Sequence, residues 1–405
     1  MTRFGKFWAG HTISQFGDRI TDLALPLIAV TMLAATPAQV GLLTAAVWAP
    51  NLLSLLVGSW VDGRTHRKRL LVAADLLRAA VLLSLPVTYW LGAVTLAQLF
   101  TVAILAGIGQ VLFSAAYPSF FVSLVPRDRY VAANSKLSAS RSASSVAGPA
   151  LGGVLIQALT APVAMLADAL SFLASALLIA RIKAAPAVPS RGFAPLAGLT
   201  YVLRHRYLRP ILGCVTTINF FGFVAQALVV LFASRTLGLP AGLIGLAFGL
   251  GALGGLTGAV AAPRLSARYG VGRVALLGAV LFPAPTAAIA LAGGPRWMAF
   301  AVLLIAEAVS GFGVMLFDIN TNSVMAAMTD DGMRSRVAGV FGTVNYGARP
   351  LGAVLGGALG TAIGVRPTLL VAAVGGVLAV LWLLPSPMPR LFAIPRPEQA
   401  AAARV

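Results

Sequence analysis

Charge is scarce in this chain: charged side chains make up 10% of its 405 residues, and only 11 Asp and Glu stand against 30 Lys and Arg. A water-facing globule carries about 25% charged residues, so an ordinary soluble domain is excluded. Cysteine occurs once, at Cys214 inside an apolar run, which rules out an internal disulfide framework and a cysteine-based metal centre. Three scattered histidines, His11, His66 and His205, offer no metal-ligand spacing, so no metal site is expected. No phosphate-binding loop of the G-x-x-x-x-G-K-(S/T) kind occurs, which excludes ATP hydrolysis by this chain. Neither clustered His and Asp nor a serine nucleophile with its base is visible. No enzyme activity, catalytic residue or cofactor is therefore expected.

What is present is apolar length. Apolar residues form 59% of the sequence and gather in runs near 7–34, 38–61, 70–92, 94–125, 137–160, 162–182, 210–234, 239–262, 273–293, 297–325, 335–362 and 366–386. Each can cross the hydrocarbon core of about 30 Å, tilted where necessary. The run behind the basic stretch Met1 to Lys6 is too long for a secretory signal and lacks a small-residue cleavage pattern, so it reads as the first helix. The net charge of +19 lies in short clusters between runs, which excludes a nucleic-acid-binding face and marks topology instead. Basic residues gather at the N-terminus, in alternate connections and in the C-terminal tail. Only Arg235, Arg296 and Arg366 fall in the opposite connections, while Arg19, Arg78, Arg141 and Arg349 lie within runs. Such asymmetry places both termini in the cytoplasm and requires an even helix number. The expected fold is an all-α membrane protein of twelve transmembrane helices, multi-pass in a bacterial plasma (inner) membrane.

The longest connection, 183–209, opens with the proline-containing stretch 184–189. It continues through Leu196, Leu199, Val202 and Leu203 to Arg204, His205, Arg206 and Arg209. That pattern suits a linker followed by a short basic amphipathic helix on the cytoplasmic membrane surface. It divides the chain into an N-terminal six-helix half, 1–182, the linker, a C-terminal six-helix half, 210–388, and a cytoplasmic tail, 389–405. The halves echo one another at an offset of about 200 residues, which indicates a duplicated bundle in one orientation. Gly58 recurs as Gly258, and Pro149 with Gly152 and Gly153 is echoed by Pro350 with Gly356 and Gly357.

The connection between the second and third runs holds Gly58, Asp62, Gly63, Arg64, Arg67, Lys68 and Arg69, with Asp75 and Arg78 following. A merely topogenic loop explains Arg64 to Arg69 but not Gly58 and Asp62 at this spacing. It resembles the signature loop of the major facilitator superfamily, G-x-x-x-D-(R/K)-x-G-(R/K)-(R/K), in the form used by drug and siderophore exporters. Gly63 replaces the usual basic residue, and Thr65 and His66 surround the expected glycine. Gly58 lets two helices approach, and the Asp62 carboxylate can pair with arginines or a helix N-terminus, which makes Gly58, Asp62, Arg64, Arg67 and Lys68 a candidate gate. Gly148, Pro149, Gly152 and Gly153 in the fifth run resemble the second half of the superfamily's antiporter motif. A Gly-Pro pair bends a helix and provides a flat packing surface. Ser14 to Asp18, Leu25 to Leu27, and the stretch 125–135 complete a resemblance to macrolide, tetracycline and enterobactin exporters.

Ionisable groups in hydrocarbon are costly and normally face a cavity or a partner. They are Asp18, Arg19, Asp22, Asp75, Arg78, Arg141, Asp168, Glu307, Asp318 and Arg349. The fourth run lacks the arginine that many proton-coupled drug antiporters carry, so other groups must handle the proton. Asp18 and Asp22 share a helix face, where desolvation and repulsion favour protonation, unless they pair structurally with Arg19. Glu307 has no basic neighbour nearby in sequence. Asp18, Asp22 and Glu307 are the proton-coupling candidates, while Asp75 and Arg78, at i,i+3, read as an ion pair. Asn219, Phe220 and Gln226 in the seventh run, with Asn345, Tyr346 and Arg349 in the eleventh, are candidates to line an amphipathic cavity, although aromatic residues in membrane helices commonly only pack.

The resemblance implies secondary export of a small amphipathic molecule by alternating access, with protons as coupling ion, lipids around the chain, no nucleic acid, and a monomeric state. An importer, or a non-transporting sensor on the same scaffold, is the alternative.

Overall fold

In the computed structural model of the chain the described residues are 2–126, 129–182, 195–330 and 333–393. Every regular element among them is helical, as an apolar solvent demands of a chain that must satisfy its backbone groups internally. The first half runs α1 (Arg3–Leu27), α2 (Pro37–Trp48), α3 (Ser54–Asp62), α4 (Arg67–Trp90), α5 (Leu96–Leu124), α6 (Tyr130–Leu159) and α7 (Ala161–Ala180). After α8 (Pro195–Arg204) follow α9 (Leu208–Leu231), α10 (Ala241–Gly251), α11 (Leu253–Tyr269), α12 (Val271–Leu281) and α13 (Pro285–Leu291). The chain then forms α14 (Arg296–Met328), α15 (Arg334–Ala362) and α16 (Val365–Leu378).

Local chemistry sets the ends. Thr36 and Gln39 form a reciprocal capping box at α2 with Pro37 in the first turn, and Thr95 caps α5 through the Gln98 amide. These side chains satisfy backbone donors left over in the first turn. Gly270, at φ +91°, makes the turn from α11 to α12, a conformation that a side chain would strain.

Nine helical stretches among the described residues are long and apolar enough to cross a membrane. They fall in nine of the twelve expected runs; the helices of the other three runs, α1, α2 with α3, and α15, are not among them. Several apolar runs that read as continuous are interrupted. The second is broken by a 3-10 turn at Ala49–Leu53 containing Pro50, the eighth at Ala252, and the ninth around Pro283. Proline removes a backbone donor and crowds the preceding turn, which explains the first and third breaks. α8 carries the basic end of the linker, whose residues 183–194 lie outside the described ones, as do 394–405 of the tail. Its Val202 is fully buried in a core with Leu208, Ile211, Phe341 and Leu383, so this helix packs into protein with its apolar face.

The chain groups into two compact units. One comprises Met1–Phe193 with Ala233–Gly249, the other Ala194–Phe232 with Leu250–Val405. In the first, α1 and α4 both pack on α7, around a core that includes Phe7, Leu71, Phe113, Phe120 and Ile179. In the second, α9 packs on α15 and α11 on α14.

Candidate functional site

The gate residues of the first unit flank the start of α4. Lys68 donates from Nζ to the carbonyls of Ala180 (3.2 Å) and Ile182 (3.1 Å), so an ammonium closes the C-terminal end of α7. A cation there satisfies orphan carbonyls and complements the helix dipole. Arg67 is buried, while Arg64 lies over the Trp60 ring at 4.6 Å. The Asp62 side chain lies outside the described residues. Gly58 differs from the expectation of close helix approach: a Cβ built there meets nothing within 4 Å. Its counterpart Gly258 is the tight one, 2.7 Å from the Phe312 carbonyl of α14. The two halves therefore share the glycine but not the contact it makes.

The α6 glycines face two ways. A Cβ at Gly148 would lie 2.6 Å from the Arg19 side chain, and one at Gly152 3.2 Å from Ile20 Cα, so this face rests on α1. A Cβ at Gly153 would meet the Ala241 carbonyl at 2.6 Å and Gly245 Cα at 3.0 Å, so the other face rests on α10. Nearby, Arg235 donates to the carbonyls of Val30 (2.6 Å) and Ala35 (2.9 Å), tying the chain after α9 to the π-helical turn after α1.

The intramembrane charges pair only in part as sequence spacing suggested. Arg78 bonds to Asp18 of α1, not to Asp75 one turn away on its own helix. Its guanidinium also lies 3.8 Å from the centre of the Phe172 ring on α7. Arg19 pairs with Asp22 at 3.1 Å, and both side chains are open to their surroundings. Asp168, absent from the sequence-derived proton candidates, is fully buried. Its carboxylate accepts from the Thr21 hydroxyl and, at 3.1 Å, from that of Ser171. Its place in a membrane run was visible in the sequence. Its partner Thr21, 147 residues away on α1, was not.

In the second unit Glu307 is partly buried on α14, where Gly251 lets its Cβ come within 2.5 Å of the position a side chain would take. No hydrogen bond or ion pair among the described residues reaches its carboxylate. Arg349 on α15 is sandwiched by aromatic rings, 5.1 Å from Phe223 and 4.5 Å from Tyr346. Asn345 beside it keeps a buried carbonyl oxygen without a hydrogen bond among the described residues. On the facing α9, Phe220 packs edge-on against Phe221 at 5.3 Å, and Asn219 donates to the Val215 carbonyl. Gly352 lets α15 approach the Phe220 backbone, which brings these two groups of candidates onto adjoining helices. Gln226 is exposed further along α9. A cleft of about 390 Å³ in the first unit, lined by Thr31, Tyr89, Thr160, Ser234 and Pro240 among others, contains none of the cavity candidates.

Comparison with known proteins places this geometry. The chain matches the family described as transmembrane secretion effectors (MFS_3) over residues 1–400. It is 28% identical over 374 residues to a protein named multidrug efflux pump Tap from Mycolicibacterium fortuitum, covering 87% of this chain and 88% of that one. Its fold resembles a bacterial homologue of the iron transporter ferroportin in an inward-facing state, with TM-score 0.75, 18% identity, and 95% and 98% of the two chains covered. It also resembles the nucleoside transporter NupG, with TM-score 0.71, 14% identity, and 95% and 99% covered. A match along nearly its whole length makes this chain a member of the transmembrane secretion effector family within the major facilitator superfamily, a multi-pass membrane transporter and not an enzyme.

Proposed function

We propose that the protein is a secondary active exporter of small amphipathic organic molecules, drugs or siderophore-like metabolites, driven by proton antiport through alternating access. The observation that carries this reading is the similarity to an efflux pump along most of both chains. The fold alone cannot choose a solute, because the same scaffold serves transporters of iron and of nucleosides. The site chemistry favours an amphipathic solute. Two aromatic rings flank the Arg349 cation, a combination that suits a solute with an apolar body and an anionic group. In this reading twelve helices form two six-helix halves in the bacterial inner membrane, with both termini cytoplasmic and the protein monomeric. Asp18, Asp22 and Glu307 are its proton-coupling candidates, and the loop from Gly58 to Lys68 its gate.

Expression in an efflux-deficient host tests the direction. Resistance to tetracyclines or macrolides, or secretion of catecholate or hydroxamate siderophores, should rise and collapse when a protonophore dissipates the gradient. Energy-dependent uptake of a sugar or amino acid, with export of neither class, reverses the direction and sinks the proposal.

A further inference from the structure

Where α1, α4 and α7 meet, three carboxylates surround one cation. Asp168 is 0% exposed, Asp75 1% and Arg78 9%, with Asp18 completing the group from α1. The helices close tightly here, since a Cβ on Gly17 would overlap the Asp168 carboxylate and the Ser171 hydroxyl. On the far side Gly109 of α5 presses on the Arg78 stem, 2.6 Å from the position a Cβ would take. Arg78 is thus held by Asp18 and Phe172 and walled in by α5. Asp75 is the unexplained member. Among the described residues neither of its oxygens meets hydrogen-bond geometry with any group, although the equally buried Ser175 hydroxyl sits beside it.

The surrounding elements supply no second cation to the buried group. α5 has no charged residue, and Asp168 is the only one in α7. α1 contributes Arg19, already paired with the exposed Asp22, and His11, stacked between Phe7 and Phe113 and bonded to Gln15. α6 contributes Arg141 and Lys136, both exposed. If all three carboxylates were ionised, two negative charges would stay uncompensated in a dry contact. Desolvation and mutual repulsion both oppose that state, and protonation relieves both. With Asp18 ionised against Arg78, the two acids left over are Asp75 and Asp168.

We infer that Asp75 and Asp168 are exchangeable proton sites of this transporter, with the Asp18–Arg78 ion pair as fixed counter-charge, so that Asp18 anchors Arg78 instead of carrying the proton. This rests on the proton-antiport reading. In the loaded state Asp75 and Asp168 each hold a proton, and the contact is neutral around the Asp18–Arg78 pair. On release an O–H bond breaks, the proton passes to water entering the contact, and that water hydrates the carboxylate left behind.

The test uses full-length protein, with tetracycline as probe. In proteoliposomes, efflux driven by a pH gradient is compared with substrate exchange at equal pH, and proton movement is followed with an indicator dye. Asp75→Asn and Asp168→Asn should each lower gradient-driven efflux and substrate-linked proton movement by about tenfold or more, while exchange persists. If an Asn variant is not recovered as folded protein, Asp75→Glu and Asp168→Glu retain an acid of different reach and should shift the pH of half-maximal exchange. Wild-type protein that moves tetracycline without protons overturns antiport itself. Wild-type protein that moves protons, alongside variants matching its coupling and pH profile, overturns only the assignment to Asp75 and Asp168.

Discussion

At the scale of single residues, Arg349 shows how aromatic rings flank a partly buried cation. Phe223 and Tyr346 present ring faces to its guanidinium, at 5.1 Å and 4.5 Å. A planar guanidinium can stack on rings and still offer donors to an anionic solute group; a lysine ammonium loses the stack. Arg349→Lys therefore keeps the charge but loses the planar stack and weakens cation–π contacts worth ~0.5–2 kcal/mol, which corresponds to a KM for tetracycline raised by up to about thirtyfold. Transport kinetics in vesicles check this, and an unchanged KM with a lower melting temperature would make the arginine a packing residue. The presence of a charge here was legible from sequence, because any arginine in a membrane run needs an explanation. Its partners were not legible. Asp75 and Arg78 stand at helical spacing and still do not pair, since the deciding neighbours, Asp18 and Phe172, come from other helices.

At the scale of elements, hydropathy located the helical segments but not their interruptions or their contacts. Averaging over a run hides a break at Ala252 or around Pro283, even though the proline itself was in view. Glycines make the same point, because a glycine in a motif reads as a close contact whether or not anything is near. Gly153 and Gly58 separate the cases. A Cβ at Gly153 collides with backbone at Ala241 and Gly245, which cannot swing aside, whereas one at Gly58 enters open space. Gly153→Ala should cost about 1–3 kcal/mol through forced separation of α6 and α10. Gly58→Ala should be neutral or stabilise by about 0.5–1 kcal/mol, because glycine is a poor helix former. Thermal unfolding of the purified variants measures both, and equal melting temperatures would refute the contrast.

At the scale of the whole molecule, the alternation of basic loops is the sequence feature that says most, because it constrains every crossing at once. Cytoplasmic loops retain Lys and Arg, so the connection from Gly63 to Arg69 and the tail should share one side, and the connection containing Arg296 should face the other. The grouping of Ala233–Gly249 with the first unit was not foreseeable this way, since loop charge reports sides and not contacts. The chain is well suited to a direct test, because its one cysteine, Cys214, is fully buried and should give a silent background to thiol labelling. Thr65, Trp297 and Phe392 are exposed and can each be replaced by cysteine in turn. In intact cells a membrane-impermeant maleimide should modify Trp297→Cys, and should reach Thr65→Cys and Phe392→Cys only after permeabilisation. Matching behaviour at Thr65 and Phe392 requires an even number of crossings between them, as twelve helices with cytoplasmic termini demand. Labelling of Phe392→Cys in intact cells, with Thr65→Cys still protected, makes that number odd and overturns the twelve-helix arrangement.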